Sequence, residues 1–275
     1  MKTAIIGAGV MGRTLLAGLQ AAGGWDLVAS TRRETTAQSV AEDFGIPVYT
    51  DNLQAIADAD LVVLCLKPKN ILKVAGELNQ PDLDIDHRAL KPDAAVISIA
   101  AGVGLADLAE VLPEDQPLMR AMPNTPCQAQ AGMTVISPSP TASDGQVAVV
   151  QRLFEAVGRA LVLDEEHINA VTGLSASGPA FLYLVIEALT DGGVMSGLPR
   201  NVAVELATQT TLGAARMVQE SGKHPAALKD EVTTPAGCTI SALLRMEDGG
   251  LRSVLARGVE EAARRAGGLL EKADD

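Results

Sequence analysis

The chain opens on an apolar run that leads straight into a glycine-rich turn: Lys2-Thr3-Ala4-Ile5-Ile6-Gly7-Ala8-Gly9-Val10-Met11-Gly12. Residues 2–6 predict a buried parallel strand, and residues 11–22 predict the helix that follows it. In such a motif the first glycine permits a tight turn, the second lets the backbone approach a pyrophosphate, and the third lets helix and strand pack closely. The N–H groups at the helix start then face the anion. The pattern favours a dinucleotide site, the alternative being a purely structural turn.

The end of the second predicted strand indicates which dinucleotide would bind. Asp26-Leu27-Val28-Ala29-Ser30 ends about 20 residues past the glycines, where NAD enzymes place an acidic residue against the ribose. This chain continues instead with Thr31, Arg32 and Arg33. A hydroxyl and two guanidinium groups suit a 2′-phosphate, which an acidic residue would repel. We therefore predict NADPH as the cofactor, with NADH as the second hydride donor; a solvated basic loop is the alternative interpretation.

Composition limits the classes of protein to which the chain can belong. Of its 275 residues, 47% are hydrophobic and 20% are charged, as in globular proteins with a sizeable core. Acidic residues outnumber basic residues by 34 to 22, which argues against nucleic acid and an anionic membrane surface as partners. Three dispersed cysteines fit a reducing compartment, and the three histidines share no ligand spacing, so we expect no metal. The start does not resemble a signal peptide and no apolar run approaches a membrane span, so we expect a cytoplasmic protein.

The two halves of the sequence differ in their patterns. Up to residue 163, β-rich runs alternate with helical stretches, which predicts an α/β fold: an N-terminal Rossmann-like, doubly wound, mostly parallel sheet. The later strands are predicted at 60–66, 94–99, 117–122, 133–137 and 160–163, and helices at 36–44, 53–57, 70–78 and 143–157. Residues 164–275 predict an all-helical domain, with helices starting at Ser177 as a capping residue and at Pro199, then around Leu228, at 240–246 and at 251–270.

The helical half is apolar for its size. A segment of about 110 residues leaves a large share of its surface in water, so it would bury these side chains poorly on its own. Pairing with a second copy would cover them, and we expect a homodimer. The alternative is that these helices pack on the nucleotide domain.

Three motifs follow predicted strands, where ligands bind to open α/β sheets. Leu66-Lys67-Pro68 would bring an ammonium group to a ribose or phosphate oxygen and then begin a helix. Ala100-Ala101-Gly102-Val103 leaves room for a nicotinamide ring, and Arg120-Ala121-Met122-Pro123-Asn124-Thr125-Pro126 holds polar groups in a stiff loop. Each motif, taken singly, also fits an ordinary strand end or turn.

A fourth motif lies in the helical half: Val232-Thr233-Thr234-Pro235-Ala236-Gly237-Cys238-Thr239. Its hydroxyls and small residues precede a helix predicted to begin near Cys238. N–H groups at such a helix start bind a carboxylate well, and Thr239 adds a hydroxyl there. An ordinary helix N-terminus explains the same residues equally well.

Together these motifs resemble the pyrroline-5-carboxylate reductases over nearly the whole chain. The most specific matches are Thr172-Gly173-Leu174-Ser175-Ala176-Ser177-Gly178-Pro179-Ala180 and the motif that ends at Thr239. The resemblance implies reduction of the cyclic imine 1-pyrroline-5-carboxylate to L-proline with NAD(P)H. It also implies an intertwined homodimer whose substrate sites combine residues of two subunits, and rings of five dimers.

The residues and the resemblance together assign two sets of contacts. The expected cofactor contacts are Ile6, Gly7, Ala8, Gly9, Val10, Met11, Gly12, Thr31, Arg32, Arg33, Asn52, Leu66, Lys67, Pro68, Ala101 and Asn124. The expected substrate contacts are Glu165, Thr234, Gly237, Cys238 and Thr239. We expect Thr239 to be catalytic, with its hydroxyl bonded to the ring nitrogen and assisting proton transfer there.

The chain departs from the family pattern at three positions, and two rivals stay open. Ala236 stands where the family usually has glycine, Cys238 where it often has threonine or alanine, and Glu231 where relatives use a neutral amide. A β-hydroxyacid dehydrogenase would carry a catalytic lysine on the long helix, but residues 177–199 contain no lysine. A non-catalytic NADP-sensing protein would bind NADPH without oxidising it.

Overall fold

The computed structural model describes residues 1–79 and 90–268. Its N-terminal part contains a single eight-stranded sheet in the order β3-β2-β1-β4-β5-β6-β7-β8. Every neighbouring pair is parallel except β6 with β7, which is antiparallel. The strands are β1 Lys2–Ile6, β2 Asp26–Ser30, β3 Val48–Tyr49, β4 Leu61–Leu64, β5 Ala95–Ser98, β6 Leu118–Met122, β7 Gly132–Pro138 and β8 Gly158–Val162.

The chain winds outward from β1 in both directions, which confirms the predicted doubly wound sheet. The strand order therefore reverses between β1 and β4, and ligands bind at such a switch point in open α/β sheets. Helices cover both faces of the sheet: α1 Val10–Ala22, α2 Glu34–Phe44, α3 Asn52–Ile56, α4 Pro68–Leu78, α5 Leu105–Ala109 and α6 Asp144–Glu155.

Alternating side chains of β1 separate the core into two layers. Ile5 packs in a cluster with residues of α1 and α6, including Leu15 and Phe154. Ile6 packs in a second cluster with residues of α3 and α4, including Ile56. Successive side chains of a strand point to opposite faces, so an apolar run such as residues 4–6 is buried on both sides.

Two elements of the sheet region were not predicted from the sequence. Strand β3 has two residues and α5 has five, too few to show a periodic pattern. The predicted strands and helices are otherwise present, with ends that differ by a few residues; α2, for example, begins at Glu34 rather than residue 36.

The rest of the described chain is helical, as expected. A 3₁₀ turn, Glu165–His167, leads into α7 Ile168–Val171 and a π-helical turn, Thr172–Ala176. The longer helices that follow are α8 Gly178–Met195, α9 Arg200–Ser221, α10 Pro225–Glu231, α11 Cys238–Asp248 and α12 Leu251–Gly267. The predicted last helix end, at residue 270, and His87 lie outside the described residues.

Helix α8 begins directly after Ser177 with Pro179 in its first turn, as predicted, but the Ser177 hydroxyl does not cap it. The Ser177 backbone is in the right-handed helical region, and the π-helical turn passes into α8 without an extended cap residue. Residues Glu165–Met195 consequently form one helical run that is long and apolar enough, by length and composition only, to cross a membrane. This corrects the expectation that no apolar run approaches that length; most of this run is exposed in the single chain.

The described chain divides into two compact units. The first, here called the sheet unit, comprises Met1–Ala176 together with residues 261–268; the second, here called the helical unit, comprises Ser177–Glu260. Helix α12 therefore contributes its last turns to the sheet unit, where Gly267 lies beside the Asn169 amide. The predicted boundary after residue 163 stays a prediction.

Candidate functional site

The glycine turn after β1 has the geometry that a pyrophosphate site requires. Gly7 has a φ of +95°, and the N–H groups of Gly7 and Ala8 both donate to the Ser30 carbonyl oxygen at 3.1 Å. A Cβ on Gly12 would overlap the Gly7 carbonyl oxygen, so only glycine lets α1 pack this closely on the turn. A Cβ on Gly9 would meet no heavy atom within 4 Å. The space beside Gly9 is thus open on the side from which a phosphate would approach.

Helix α1 begins directly after this opening. Its N-cap, Gly9, is extended and provides no side-chain cap, and its first turn contains no acidic residue. Val10, the first helical residue, is 70% exposed. The N–H groups and the positive end of the helix dipole are therefore available to an anion, which is the electrostatic requirement of a dinucleotide site.

The end of β2 forms the part of this edge predicted to contact the ribose. The buried Ser30 hydroxyl donates to Asn52 Oδ1 at 2.7 Å, which turns the Asn52 NH₂ group away from the strand. Arg32 and Arg33 are exposed, and neither forms an ion pair with the residues that the structure describes. Two unpaired guanidinium groups beside a strand end fit a 2′-phosphate.

Three of the other predicted cofactor residues lie at the switch point. Leu66 lies against Gly7, since a Cβ on that glycine would be 2.7 Å from Leu66 Cδ2. Lys67 is the extended N-cap of α4 and Pro68 is its first residue, as the sequence predicted. The residues present here fit a dinucleotide: open glycines at the pyrophosphate, and Lys67 with the arginines for its phosphates.

Asn124, also predicted to contact the cofactor, is held by two other parts of the sheet unit. Its Oδ1 accepts from the Met133 N–H at 2.9 Å, and its Nδ2 donates to the Ser175 carbonyl oxygen at 3.1 Å. Asn124 thus ties β7 to the π-helical turn. Its contact with the cofactor stays a prediction.

Glu165, a predicted substrate residue, is held by two donors. Its Oε1 accepts from Arg120 Nη1 at 2.8 Å and from the Leu105 N–H at 2.7 Å. Sequence reasoning assigned no role to Arg120. Its partner is 45 residues away in the chain, and no local pattern could have indicated it.

The second candidate site lies in the helical unit, at the start of α11. Gly237 is the extended N-cap, its N–H donates to the Thr234 carbonyl oxygen at 3.0 Å, and a Cβ on it would overlap Thr234 Oγ1. The helix begins at Cys238, as predicted, with no acidic residue in its first turn and no side-chain cap. Thr239 is half-buried and Cys238 is exposed. This helix start is built to accept a small anion beside a hydroxyl.

Two of the departures from the family pattern have a structural outcome. Ala236 has a φ of +55°, in the left-handed region that favours glycine, so its Cβ costs about 1 kcal/mol or more there. Glu231 forms an ion pair with Lys223 across the short segment that contains α10. The Glu231 carboxylate is therefore occupied within the helical unit.

The cysteines of the sheet unit are unsuited to nucleophilic chemistry. Burial raises the pKa of the Cys65 thiol to about 12 and also raises the pKa of the Cys127 thiol. Thiols with raised pKa values are inert at neutral pH. Among residues 1–79 and 90–268, no group of three histidine, cysteine or acidic side chains is placed to hold a metal ion.

Comparisons with known proteins match two family models to this chain. Residues 165–269 match the family model "Pyrroline-5-carboxylate reductase dimerisation", and residues 2–102 match the model "NADP oxidoreductase coenzyme F420-dependent". The chain is 40% identical to a pyrroline-5-carboxylate reductase of Arabidopsis thaliana, with 96% of this chain and 94% of that protein covered. It is 37% identical to the enzyme of that name from Escherichia coli K12, covering 92% and 93%.

Solved structures give the same result. A pyrroline-5-carboxylate reductase from Coxiella burnetii matches with a TM-score of 0.88 and 34% identity, covering 96% of both chains. The Plasmodium falciparum pyrroline carboxylate reductase, solved with NADP bound, matches with a TM-score of 0.81 and 25% identity, covering 97% of both chains. The glycine turn, the helix start at Cys238 and these full-length similarities lead to one conclusion: this chain belongs to the pyrroline-5-carboxylate reductase family.

Proposed function

We propose that this chain reduces 1-pyrroline-5-carboxylate to L-proline with NADPH, the final step of proline biosynthesis. Family membership supports the reaction. The observation that carries it is the helix start at Cys238, where backbone N–H groups and the Thr239 hydroxyl stand together without a competing acid. A purely NADP-sensing protein would have no need of such a second anion site.

The reaction demands little from side chains. Bound NADPH supplies a hydride, and the protonated imine of the substrate is already electrophilic, so positioning provides much of the acceleration. The N–H groups of Cys238 and Thr239 would hold the substrate carboxylate, while the Gly237 N–H, also expected to do so, already donates to the Thr234 carbonyl oxygen. The Thr239 hydroxyl would bond the ring nitrogen and assist its proton transfer.

Glu165 would contribute the negative charge that a cationic imine favours. Its Oε1 already accepts two hydrogen bonds, so a contact with the substrate would use Oε2. About one third of this side chain is exposed, 34%, which leaves room for that contact. The carboxylate would stabilise the protonated form of the substrate.

The NADPH preference follows from the end of β2. Thr31, Arg32 and Arg33 place a hydroxyl and two cations where NAD-specific sites place an acid. The exposed arginines have no competing ion pair among the described residues. Measured with both donors, kcat/KM should be higher for NADPH than for NADH.

We also propose a homodimer, in the cytoplasm, built through the helical unit. Its helices expose large apolar side chains that a single chain leaves in water: Leu182, Tyr183, Leu184, Leu189 and Met195 on α8, and Val204, Leu206, Leu212 and Met217 on α9. A second copy would cover such a surface. Native mass spectrometry should show the dimer, and rings of five dimers would appear as decamers; cell fractionation tests the location.

The experiment that tests the function follows NADPH absorbance with and without 1-pyrroline-5-carboxylate in three proteins: wild type, Thr239→Ala and Thr239→Ser. Removing a group that assists proton transfer costs about 10²-fold or more, so kcat/KM should fall by that factor in Thr239→Ala. Thr239→Ser keeps the hydroxyl and should retain most of the activity. NADPH binding should be equal in all three proteins.

Two results would contradict the proposal. If the NADPH absorbance of the wild-type reaction does not change when 1-pyrroline-5-carboxylate is added, a sensing protein would be favoured. An unchanged kcat/KM in Thr239→Ala would show that Thr239 has no role in the mechanism. Whether the protein catalyses the reaction at all is decided by the wild-type assay.

A further inference from the structure

Arg120 is a buried cation, whereas the other arginines in residues 1–79 and 90–268 are exposed or half-exposed. It lies on β6, is 7% exposed, and aligns with Ser98, the last residue of β5. This register places it at the carboxyl end of the sheet, where the ligand edge begins. Burying a charge is costly unless it is paired and hydrogen-bonded. Of the acidic residues that the structure describes, Glu165 is the one that pairs with it.

The Glu165 carboxylate connects Arg120 to a second element, helix α5. The oxygen that accepts from Arg120 Nη1, Oε1, also accepts from the Leu105 N–H at the start of α5. The preceding N–H, of Gly104, donates to Asp107 Oδ2 at 2.6 Å. Helix α5 is too short to stabilise itself, so these two carboxylates fix where it begins.

The segment between β5 and α5 is thereby held at both ends. At its start, the Ala100 N–H donates to Ser98 Oγ at 3.3 Å; at its end, Leu105 is bound by Glu165. Between them lie Ala101, expected to contact the cofactor, and Gly102 with a φ of +78°. Ala100 and Val103 are buried in the core cluster of Ile6, whereas the backbone from Ala101 to Gly104 turns through the positive φ of Gly102. The direction of that turn is therefore set by core packing together with the two hydrogen-bonded anchors.

We propose that Arg120 is a positioning residue for the nicotinamide half of the cofactor site. It acts through Glu165 and the start of α5 on residues 100–104, and it touches neither cofactor nor substrate. The inference rests on the proposed function for the identity of the cofactor. It predicts a selective defect, because the adenine half of the cofactor site is formed by β1, β2 and Asn52.

The test compares Arg120→Met with Lys91→Met. Lys91 pairs with Asp60 at 3.0 Å, and Asp60 also accepts from the Lys2 N–H where β1 begins, so this ion pair lies at the opposite, amino end of the same sheet. Loss of either pair lowers stability. Loss of Arg120 alone should raise the KM for NADPH or lower kcat by about tenfold or more, as expected for a misplaced segment.

Comparing NADPH with a ligand that covers only its adenine half distinguishes a positioning role of Arg120 from a general loss of structure. The dissociation constant of adenosine 2′,5′-bisphosphate, which covers the adenine half alone, should change less than about twofold in Arg120→Met, while that of NADPH rises at least about tenfold. Equal weakening of both ligands would overturn the proposal, since it would show a general loss of structure. If Arg120→Met does not fold, Arg120→Lys is measured in its place, because it keeps the charge and the chain length but loses the planar guanidinium group.

A double-variant cycle tests the route of the effect. If Arg120 acts through Glu165, then Arg120→Met combined with Glu165→Gln should be no worse in NADPH binding than Glu165→Gln alone. Additive losses would overturn the route. NADPH binding is measured without substrate, so these outcomes stand even if the wild type proves to have no reductase activity, a result that would count against the proposed function alone.

Discussion

Helices α1 and α11 both begin at a glycine that provides no side-chain cap, and they differ in what surrounds that glycine. Helix α1 starts after Gly9 at the edge of a buried sheet, where the positive φ is taken by Gly7. Helix α11 starts after Gly237 in an exposed segment, where the positive φ is taken by Ala236. Buried packing therefore fixes the first helix start, whereas the second is surrounded by exposed residues.

The largest effect is expected at Gly12. Its Cβ would overlap the Gly7 carbonyl oxygen, and backbone cannot move aside as a side chain can. Overpacking of this kind lowers the free energy of unfolding by about 3 kcal/mol, so Gly12→Ala should be strongly destabilised in urea and bind no NADPH. Gly9→Ala is the control: with nothing within 4 Å, it should lose no more than about 1 kcal/mol but still weaken NADPH binding.

Equal stability of the Gly12→Ala variant and the wild type would contradict the close helix–strand contact described for α1. Unchanged NADPH affinity in Gly9→Ala would show that the pyrophosphate does not lie at this turn. The two variants therefore test separately whether this loop needs glycine for the packing of α1 and whether it needs glycine for the approach of the cofactor.

The corresponding change at α11 is Gly237→Ala, where a Cβ would overlap Thr234 Oγ1 rather than buried backbone. Thr234 is exposed and can rotate, so stability should change by no more than about 1 kcal/mol. The displaced N–H groups should nevertheless lower kcat/KM for the imine by about tenfold, with NADPH binding unchanged. Gly145→Ala, in an open position on α6, is the matched control and should leave the kinetics unaltered.

The two candidate sites should differ in the rate at which their cysteines, Cys65 and Cys238, react with an alkylating reagent. Cys65 lies beside Gly7 and burial raises its thiol pKa to about 12, whereas Cys238 is exposed at the first position of α11. Iodoacetamide at pH 8 should modify Cys238 first and leave Cys65 unmodified until the protein unfolds. Peptide mass spectrometry measures both rates. Cys65 is half-buried, so rapid labelling of it in the folded protein would refute the raised pKa of its thiol.

The smallest effect is expected at Ala236. Glycine adopts a φ of +55° without the steric cost of a Cβ, but it loses more conformational entropy on folding. Ala236→Gly should therefore raise the free energy of unfolding by only about 0.5–1 kcal/mol. Gln130→Gly, at a φ of +54° in the sheet unit, should raise the free energy of unfolding by a similar amount. A destabilised Ala236→Gly protein beside a stabilised Gln130→Gly protein would show that the alanine side chain itself contributes to the α11 segment.

Local patterns were sufficient to predict the sheet and the first site. The β1 run and the glycine turn lie within eleven residues. The interactions that define the turn involve Ser30 or nearer neighbours, apart from the contacts of Gly7 with Cys65 and Leu66, which follow β4. The helix start at Cys238 was predicted for the same reason. Its interpretation as a substrate site came from the family resemblance, because an uncapped helix start has no chemistry specific to one ligand.

Features that depend on distant residues were missed. Helix α5 is fixed by Glu165, sixty residues further along the chain, and Arg120 is defined by that same carboxylate. Tertiary contacts, which no local window contains, decided both of these cases. At Ser177 the composition correctly predicted where α8 begins, but the helical turn that precedes it was not predicted, so the expected capping hydroxyl is not used.

The most direct test of the account is the fate of the hydride. NADPH that carries deuterium at both C4 positions of the nicotinamide is incubated with the protein and 1-pyrroline-5-carboxylate, and the product is analysed by mass spectrometry and NMR. We predict L-proline that carries one deuterium, at C5 of the ring. Consumption of NADPH without labelled proline, or proline that contains no deuterium, would contradict the proposed reaction.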